Sequence, residues 1–350
     1  MKRSIAFALG LALLAASLPV RAANDPARAV AAETAATLEA SYVFPSRAQV
    51  AGEMLRGNAA AGAYDGLRDA ALATRLNDDL AAVLHDKHVR LRPFTAGVLA
   101  SELIRDRPVP PAQVLRDAGY RLGRIAHLPG NVGYIELRAF PPGSDEMNVV
   151  FDAFTNSVAY SGAVVLDLRR NHGGTPASVG RLLSHFFPPK THLNDFIGRG
   201  DGEPPIASST YTTEVSGPQI AAPLYVLISA ETFSAGEECA YDVQALKRGT
   251  LIGAVTGGGA NPGRLHPVAD RFMFFVPEQR ARNPITLTNW EGVGVKPDIE
   301  VASDRALITA YGMALDARLR DASVLAFLKT GVAPLRAKLD TMTDAEILAL

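Results

Sequence analysis

The chain is predicted to be an α/β protein, a mixed and largely parallel sheet with flanking helices, plus an N-terminal helical subdomain. Three observations predict this. The runs 163–168 and 224–228 are apolar and rich in β-branched residues, the mark of short strands buried on both faces. Segments with helical spacing, at about 144–160, 176–186 and 234–248, alternate with such runs. The alanine-rich stretch of about 24–86 shows helical periodicity and no strand pattern.

Taken in order, the first 22 residues stand apart. Met1-Lys2-Arg3 supplies positive charge, Ile5 to Leu14 is apolar, and Val20-Arg21-Ala22 ends in the small residue that a signal peptidase needs. This reads as a secretory signal cleaved after Ala22 or Ala23, too short for a lasting membrane anchor. The mature protein is therefore expected in the periplasm or secreted. Residues 24–92 form the predicted three-helix subdomain, with helices at 27–40, 47–62 and 67–85 broken at Tyr42-Val43-Phe44-Pro45 and at Gly62 to Gly66. Residues 93–350 form the second predicted unit. It starts with a proline-rich joint, Arg107-Pro108-Val109-Pro110-Pro111, and a β-hairpin with strands at about 119–127 and 132–139, turning through Pro129-Gly130-Asn131. Beyond the helix at 176–186 a polar, loop-rich stretch runs to about 221. Strands at 250–255 and 271–276 flank a glycine-rich loop, and a closing helix starts near 304.

Composition narrows the function classes. The chain has 350 residues, 48% hydrophobic and 20% charged, which is enough for a large buried core. With 35 basic and 36 acidic residues well mixed, no basic surface for nucleic acid is expected. One cysteine, Cys239, rules out an intramolecular disulfide and reads as a buried small apolar residue. No H-E-x-x-H, cysteine/histidine cluster or calcium-loop pattern occurs, so neither metal nor cofactor is expected.

Two strand ends carry chemistry. At 224–240 a buried strand stops at Ser229-Ala230-Glu231-Thr232, and a helix with small residues starts at Ser234. A hydroxyl on a sharp strand-to-helix turn is exposed as a nucleophile, beside free helix N–H groups suited to an oxyanion. The competing reading is a plain N-cap, since Glu237 stands three residues on as in a capping box. At 163–174 a second buried strand ends in Asp167, followed by Gly173-Gly174, where bare backbone can approach a ligand or the turn simply needs positive φ. Of seven histidines, His88 lies where the helical region gives way to a strand, and His172 lies in the glycine loop. Glu291, Asp86 and Asp167 compete as the acid that orients a base, because triad members assemble across a fold.

Six strings occur in a family's order: Asp86-Lys87-His88, Asn131-Val132-Gly133-Tyr134-Ile135, Leu166 to Gly174, Thr232-Phe233-Ser234-Ala235-Gly236-Glu237, Ile252 to Gly259, and Glu291 to Glu300. Together they resemble the tail-specific (C-terminal-processing) serine peptidase family, in its branch related to tricorn protease and the interphotoreceptor retinoid-binding protein modules. The resemblance implies a crotonase-like ββα core and a peptide or protein substrate. It implies Ser234 as nucleophile, His88 as base and Glu291 as orienting acid, with oxyanion donors at Ala235 and at one N–H of the Gly173-Gly174 loop. There are departures. Many members pair the serine with a lysine where this chain has Gly259, and no lysine occurs from 249 to 295. Lys87 replaces the serine that precedes the tricorn-type histidine, and His172 replaces the usual proline before the glycines. The stretch of about 95–118 is too short for a PDZ domain. Two other readings share the resemblance: a catalytically silent retinoid- or lipid-like carrier lined by Phe272, Phe274 and Phe275, and an esterase or amidase acting on small molecules.

Overall fold

A computed structural model describes residues 25–94 and 112–350. The expected signal segment, the proline-rich joint and most of the 95–118 stretch lie outside the described residues. The chain opens with helices α1 (Pro26–Ser41), α2 (Pro45–Ala60) and α3 (Asp69–Leu84), then strand β1 (Arg90–Pro93) and the short helix α4 (Ala112–Asp117). Next come β2 (Leu122–Leu128), β3 (Val132–Leu137), α5 (Asp145–Asn156), β4 (Ala163–Asp167), α6 (Pro176–Leu183), β5 (His192–Ile197) and β6 (Ile206–Tyr211). The remainder holds β7 (Leu224–Ile228), α7 (Ala235–Ala245), β8 (Gly249–Gly253), β9 (Gly263–Val268), β10 (Phe272–Pro277), β11 (Arg280–Arg282), β12 (Ile299–Glu300), α8 (Ala306–Arg320) and α9 (Ala326–Lys338).

The main sheet has strand order β12-β8-β7-β4-β3-β2. Its pairs are parallel from β3 to β12, and β2 is an antiparallel edge. Each central strand is apolar along its length because both faces are covered. On one face Leu166, Val226 and Ile228 pack with Phe151, Leu182 and Val243 of α5, α6 and α7. On the other, Val165, Tyr225 and Leu227 pack with Leu307, Tyr311 and Leu315 of α8. The mixed, largely parallel sheet with flanking helices is thus the observed class.

Two of the three N-terminal helices, α1 and α2, start on proline. Proline at the first position of α1 and α2 sacrifices an N–H that has no helical acceptor, and the Asp25 carboxylate accepts Ala27 N–H at 2.9 Å. The buried faces of all three helices, including Val30, Leu38, Leu55, Leu72 and Leu76, close over Phe272 and Phe274 of β10. Strand β1, which follows α3, pairs antiparallel with β10, so the helical layer is hydrogen-bonded to the rest of the chain. Phe272 and Phe274 therefore belong to this core and line no ligand pocket, whereas Phe275 faces the cleft described below.

The stretch read as loop before 221 departs from expectation. It contains β5 and β6, which form an antiparallel sheet with β11. Strand β5 is buried on both faces, and its consecutive residues Asn194 and Asp195 are buried with partners from Asp242, Ser209 and Arg282. A strand with polar buried positions has no hydrophobic alternation to reveal it.

Candidate active site

Ser234 sits where β7 leaves the centre of the sheet. The turn after Ile228 is fastened to the end of β4: Ser229 Oγ donates to the Arg169 carbonyl at 2.6 Å, and Thr232 Oγ1 donates to the Leu168 carbonyl at 2.8 Å. Ser234 caps α7 with φ +55° and ψ −122°, a conformation that costs a non-glycine residue about 1–3 kcal/mol. Glu237 holds it there. Its Oε2 accepts Ser234 N–H at 2.9 Å and Gly259 N–H at 2.8 Å, and its Oε1 accepts Gly258 N–H at 2.6 Å and the Thr256 hydroxyl. The capping reading and the elbow reading are thus one structure, in which the cap fixes the serine backbone.

The double glycine meets this serine from β4. A Cβ on Gly173, at φ +98°, would lie 2.6 Å from Ser234 Cβ, and one on Gly174 would lie 1.8 Å from the Phe140 carbonyl oxygen. Gly173 N–H is committed to Asn171 Oδ1 at 2.9 Å. Gly174 N–H and Ala235 N–H donate to no group among the described residues, and both residues line one pocket of about 190 Å³ with Ser234 and His88. Of the two loop glycines, Gly174 is therefore the one with an uncommitted N–H beside Ser234.

His88 arrives from the other side. Helix α3 ends on His85 in the left-handed region, and the turn that follows is held by Asp86. The Asp86 carboxylate accepts His88 N–H at 3.0 Å, Asn261 Nδ2 at 3.0 Å and the Tyr42 hydroxyl at 3.1 Å. The His88 ring packs on Phe233, centroids 4.7 Å apart, and on Phe275 at 5.7 Å. Gly259 has to be bare, since a Cβ there would lie 2.4 Å from Phe233 Cζ and 2.8 Å from His88 Cε1. The space a side chain at 259 would need is therefore taken by Phe233 and by an imidazole from a distant element.

Glu291 completes the cluster. One ligand atom each of Asp86, His88 and Glu291 lies within 4.8 Å of the others. His88 Nδ1 and Glu291 Oε1 are both buried without a hydrogen-bond partner, whereas Glu291 Oε2 accepts Ala260 N–H at 2.6 Å. No hydrogen bond joins Ser234 to His88 or His88 to Glu291, a looseness common in ligand-free catalytic sites. Burial pushes the His88 imidazole down, opposed by the Asp86 charge. Burial and then the Asp86 charge push Glu291 up to about 8. These three residues are also the set that could hold a divalent cation, a grouping that sequence spacing alone does not suggest.

The other candidates do not line the Ser234 pocket. Asp167 is engaged by Arg169 at 2.6 Å and by the Tyr134 hydroxyl at 2.8 Å. His172 is exposed on the rim of an open cleft of about 1220 Å³, whose wall also includes His88, Arg90, Phe94 and Phe275. Lys87 donates to the Gly257 carbonyl. Cys239 is fully buried, and that burial pushes its thiol well up, away from the reactive thiolate. The braces Tyr42, Asn261 and Thr256 had no sequence signal, because each acts through a contact between distant segments.

Comparison with known proteins bears on the family and the fold. Residues 131–301 match the family model for peptidase family S41. Among solved structures, a candidate peptidase from Parabacteroides merdae superimposes with TM-score 0.58 at 17% identity, covering 91% of this chain and 99% of its own. A lipoprotein from Streptococcus agalactiae gives 0.55 at 12% identity, covering 83% and 96%. The photosystem II D1 C-terminal processing protease gives 0.51 at 15% identity, covering 79% and 94%. At these identities the structural likeness establishes the fold.

Proposed function

This chain belongs to peptidase family S41, and we propose that it hydrolyses peptide bonds through an acyl-enzyme formed on Ser234, with His88 as base and Glu291 as orienting acid. One observation carries the reading. Ser234 with Ala235, His88 and Gly174 converge on a single pocket although they come from three separate parts of the chain. His88 takes the Ser234 proton as the oxygen attacks the carbonyl carbon, and Glu291 Oε1 meets the imidazolium that forms. Ala235 and Gly174 N–H groups receive the oxyanion, each worth about 3–4 kcal/mol of transition-state stabilisation by analogy with other acyl-transfer sites. The imidazolium then protonates the leaving amine, and a water activated by His88 releases the acid product. The open cleft beside His88 suits an extended polypeptide. The charged, apolar and small-residue pattern of the first 22 residues supports export, with action in the periplasm or outside the cell.

Labelling of the mature protein with a fluorophosphonate tests this. Wild type should react, and Ser234→Ala and His88→Ala should lose labelling by orders of magnitude. Equal labelling of the His88 variant would overturn its role as base and point to His172.

A further inference from the structure

The pocket beside Ser234 has a chemical character of its own. Its lining includes Phe196, Phe275, Ala281 and Trp290, and the only carboxyl among its lining residues is Glu238. Glu238 lies one helical turn past Ser234 on α7 and is 3% exposed. Its Oε1 is reached only by Asn194 Nδ2 at 3.5 Å, and its Oε2 has no hydrogen-bond partner. One turn further on, Asp242 is fully buried and accepts from Asn194 at 2.9 and 3.0 Å and from Asn283 at 3.2 Å. No lysine, arginine or histidine among the described residues forms an ion pair with either carboxyl. Asn194 Oδ1 is likewise buried without a partner.

Two neighbouring acids in a dry interior, served only by amides, are costly to a core that has no use for them. Burial and the neighbouring Asp242 push Glu238 well up, and burial pushes Asp242 up to about 8. A basic side chain supplies what is missing. Its aliphatic stem fits the aromatic walls, and its charged tip meets Glu238 Oε2 with Asp242 behind.

We propose that this pocket takes the lysine or arginine side chain on the acyl side of the scissile bond, and that Glu238 determines that specificity. The proposal rests on Ser234 being the nucleophile.

The test uses the mature protein and two fluorogenic peptides that differ only in the residue before the cleaved bond, lysine or its uncharged isostere norleucine. We expect kcat/KM to favour lysine by at least about tenfold, and Glu238→Gln to bring that ratio close to one. Should that variant not fold, the wild-type ratio still decides, together with protection of wild type from fluorophosphonate by p-aminobenzamidine. Labelling accompanied by norleucine cleavage as fast as lysine cleavage, or absence of that protection, overturns the basic pocket and leaves the hydrolase standing. Absence of both labelling and cleavage overturns the two together.

Discussion

Replacing Glu237 by glutamine isolates the clamp that holds the Ser234 elbow. Each carboxylate oxygen accepts two donors: Oε1 takes the Thr256 hydroxyl and Gly258 N–H, and Oε2 takes Gly259 and Ser234 N–H. Burial pushes the acid up, but with every acceptor position filled a proton on either oxygen would find no acceptor, so the group stays ionised. A glutamine must turn its NH₂ toward one of these pairs. Facing Ser234 and Gly259, it strands two backbone N–H groups. Facing Thr256 and Gly258, it strands one backbone N–H, because the Thr256 hydroxyl, which already accepts Val295 N–H at 2.7 Å, can accept a second donor once its own proton turns away. The second orientation is cheaper. One unsatisfied buried donor costs about 1–3 kcal/mol, and the loss of charge from the remaining bonds adds to it, for a total of about 2–4 kcal/mol. That is a large part of a stability of about 5–15 kcal/mol. Urea unfolding should show the loss as a lower midpoint at unchanged slope. Fluorophosphonate labelling should slow by at least about tenfold, because Gly259 backs the His88 ring. A variant within about 0.5 kcal/mol of wild type that labels at the wild-type rate would refute the clamp.

Gly173→Ala should fold with an unchanged far-ultraviolet spectrum and lose labelling by about a hundredfold or more, since its Cβ would crowd Ser234 Cβ at 2.6 Å; labelling at the wild-type rate would show that the loop does not abut the nucleophile. The pH dependence follows from Glu291. Only its ionised form can stabilise the imidazolium, and it ionises as pH rises through about 8, while His88 is held neutral to below its usual range. Activity should therefore climb through about pH 8, and Glu291→Gln should remove the climb and lower the plateau by about 10²–10⁴. A wild-type profile flat from about pH 6 to 9 would sink this assignment. The same shift predicts an opposite trend in stability. A carboxyl raised from 4.5 in the unfolded chain to about 8 when folded contributes stability fully below 4.5 that is lost as pH rises through about 8. The Glu291→Gln variant should not show that loss, as melting temperatures across this range would reveal.

Much of the architecture was legible because the central strands are buried on both faces. Residues 163–168 and 224–228 can be read as strands without alternation, and the start of α7 at Ser234 with Glu237 three residues on can be read as a cap. Strands β5 and β6 were invisible, since Asn194 and Asp195 are buried by hydrogen bonding and pairing with side chains that sequence proximity does not supply. Gly259 looked like a loop residue, and only the packing of His88 and Phe233 against it shows why no side chain fits.

Sequence by itself determined the elements, because periodicity, caps and turn residues act over a few positions. It also determined which residue types had the right chemistry, Ser234 after a buried strand, Gly173-Gly174 after another, and a handful of histidines and acids. The tertiary structure alone decided which histidine and which acid meet. Strand β1 pairs with β10 and carries the end of α3 to the mouth of β7, so His88 reaches the serine's pocket while His172, closer in sequence, stays on the rim. The uncompensated pair Glu238 and Asp242 is likewise a fact of packing, since whether a carboxyl lacks a cation depends on every segment folded around it.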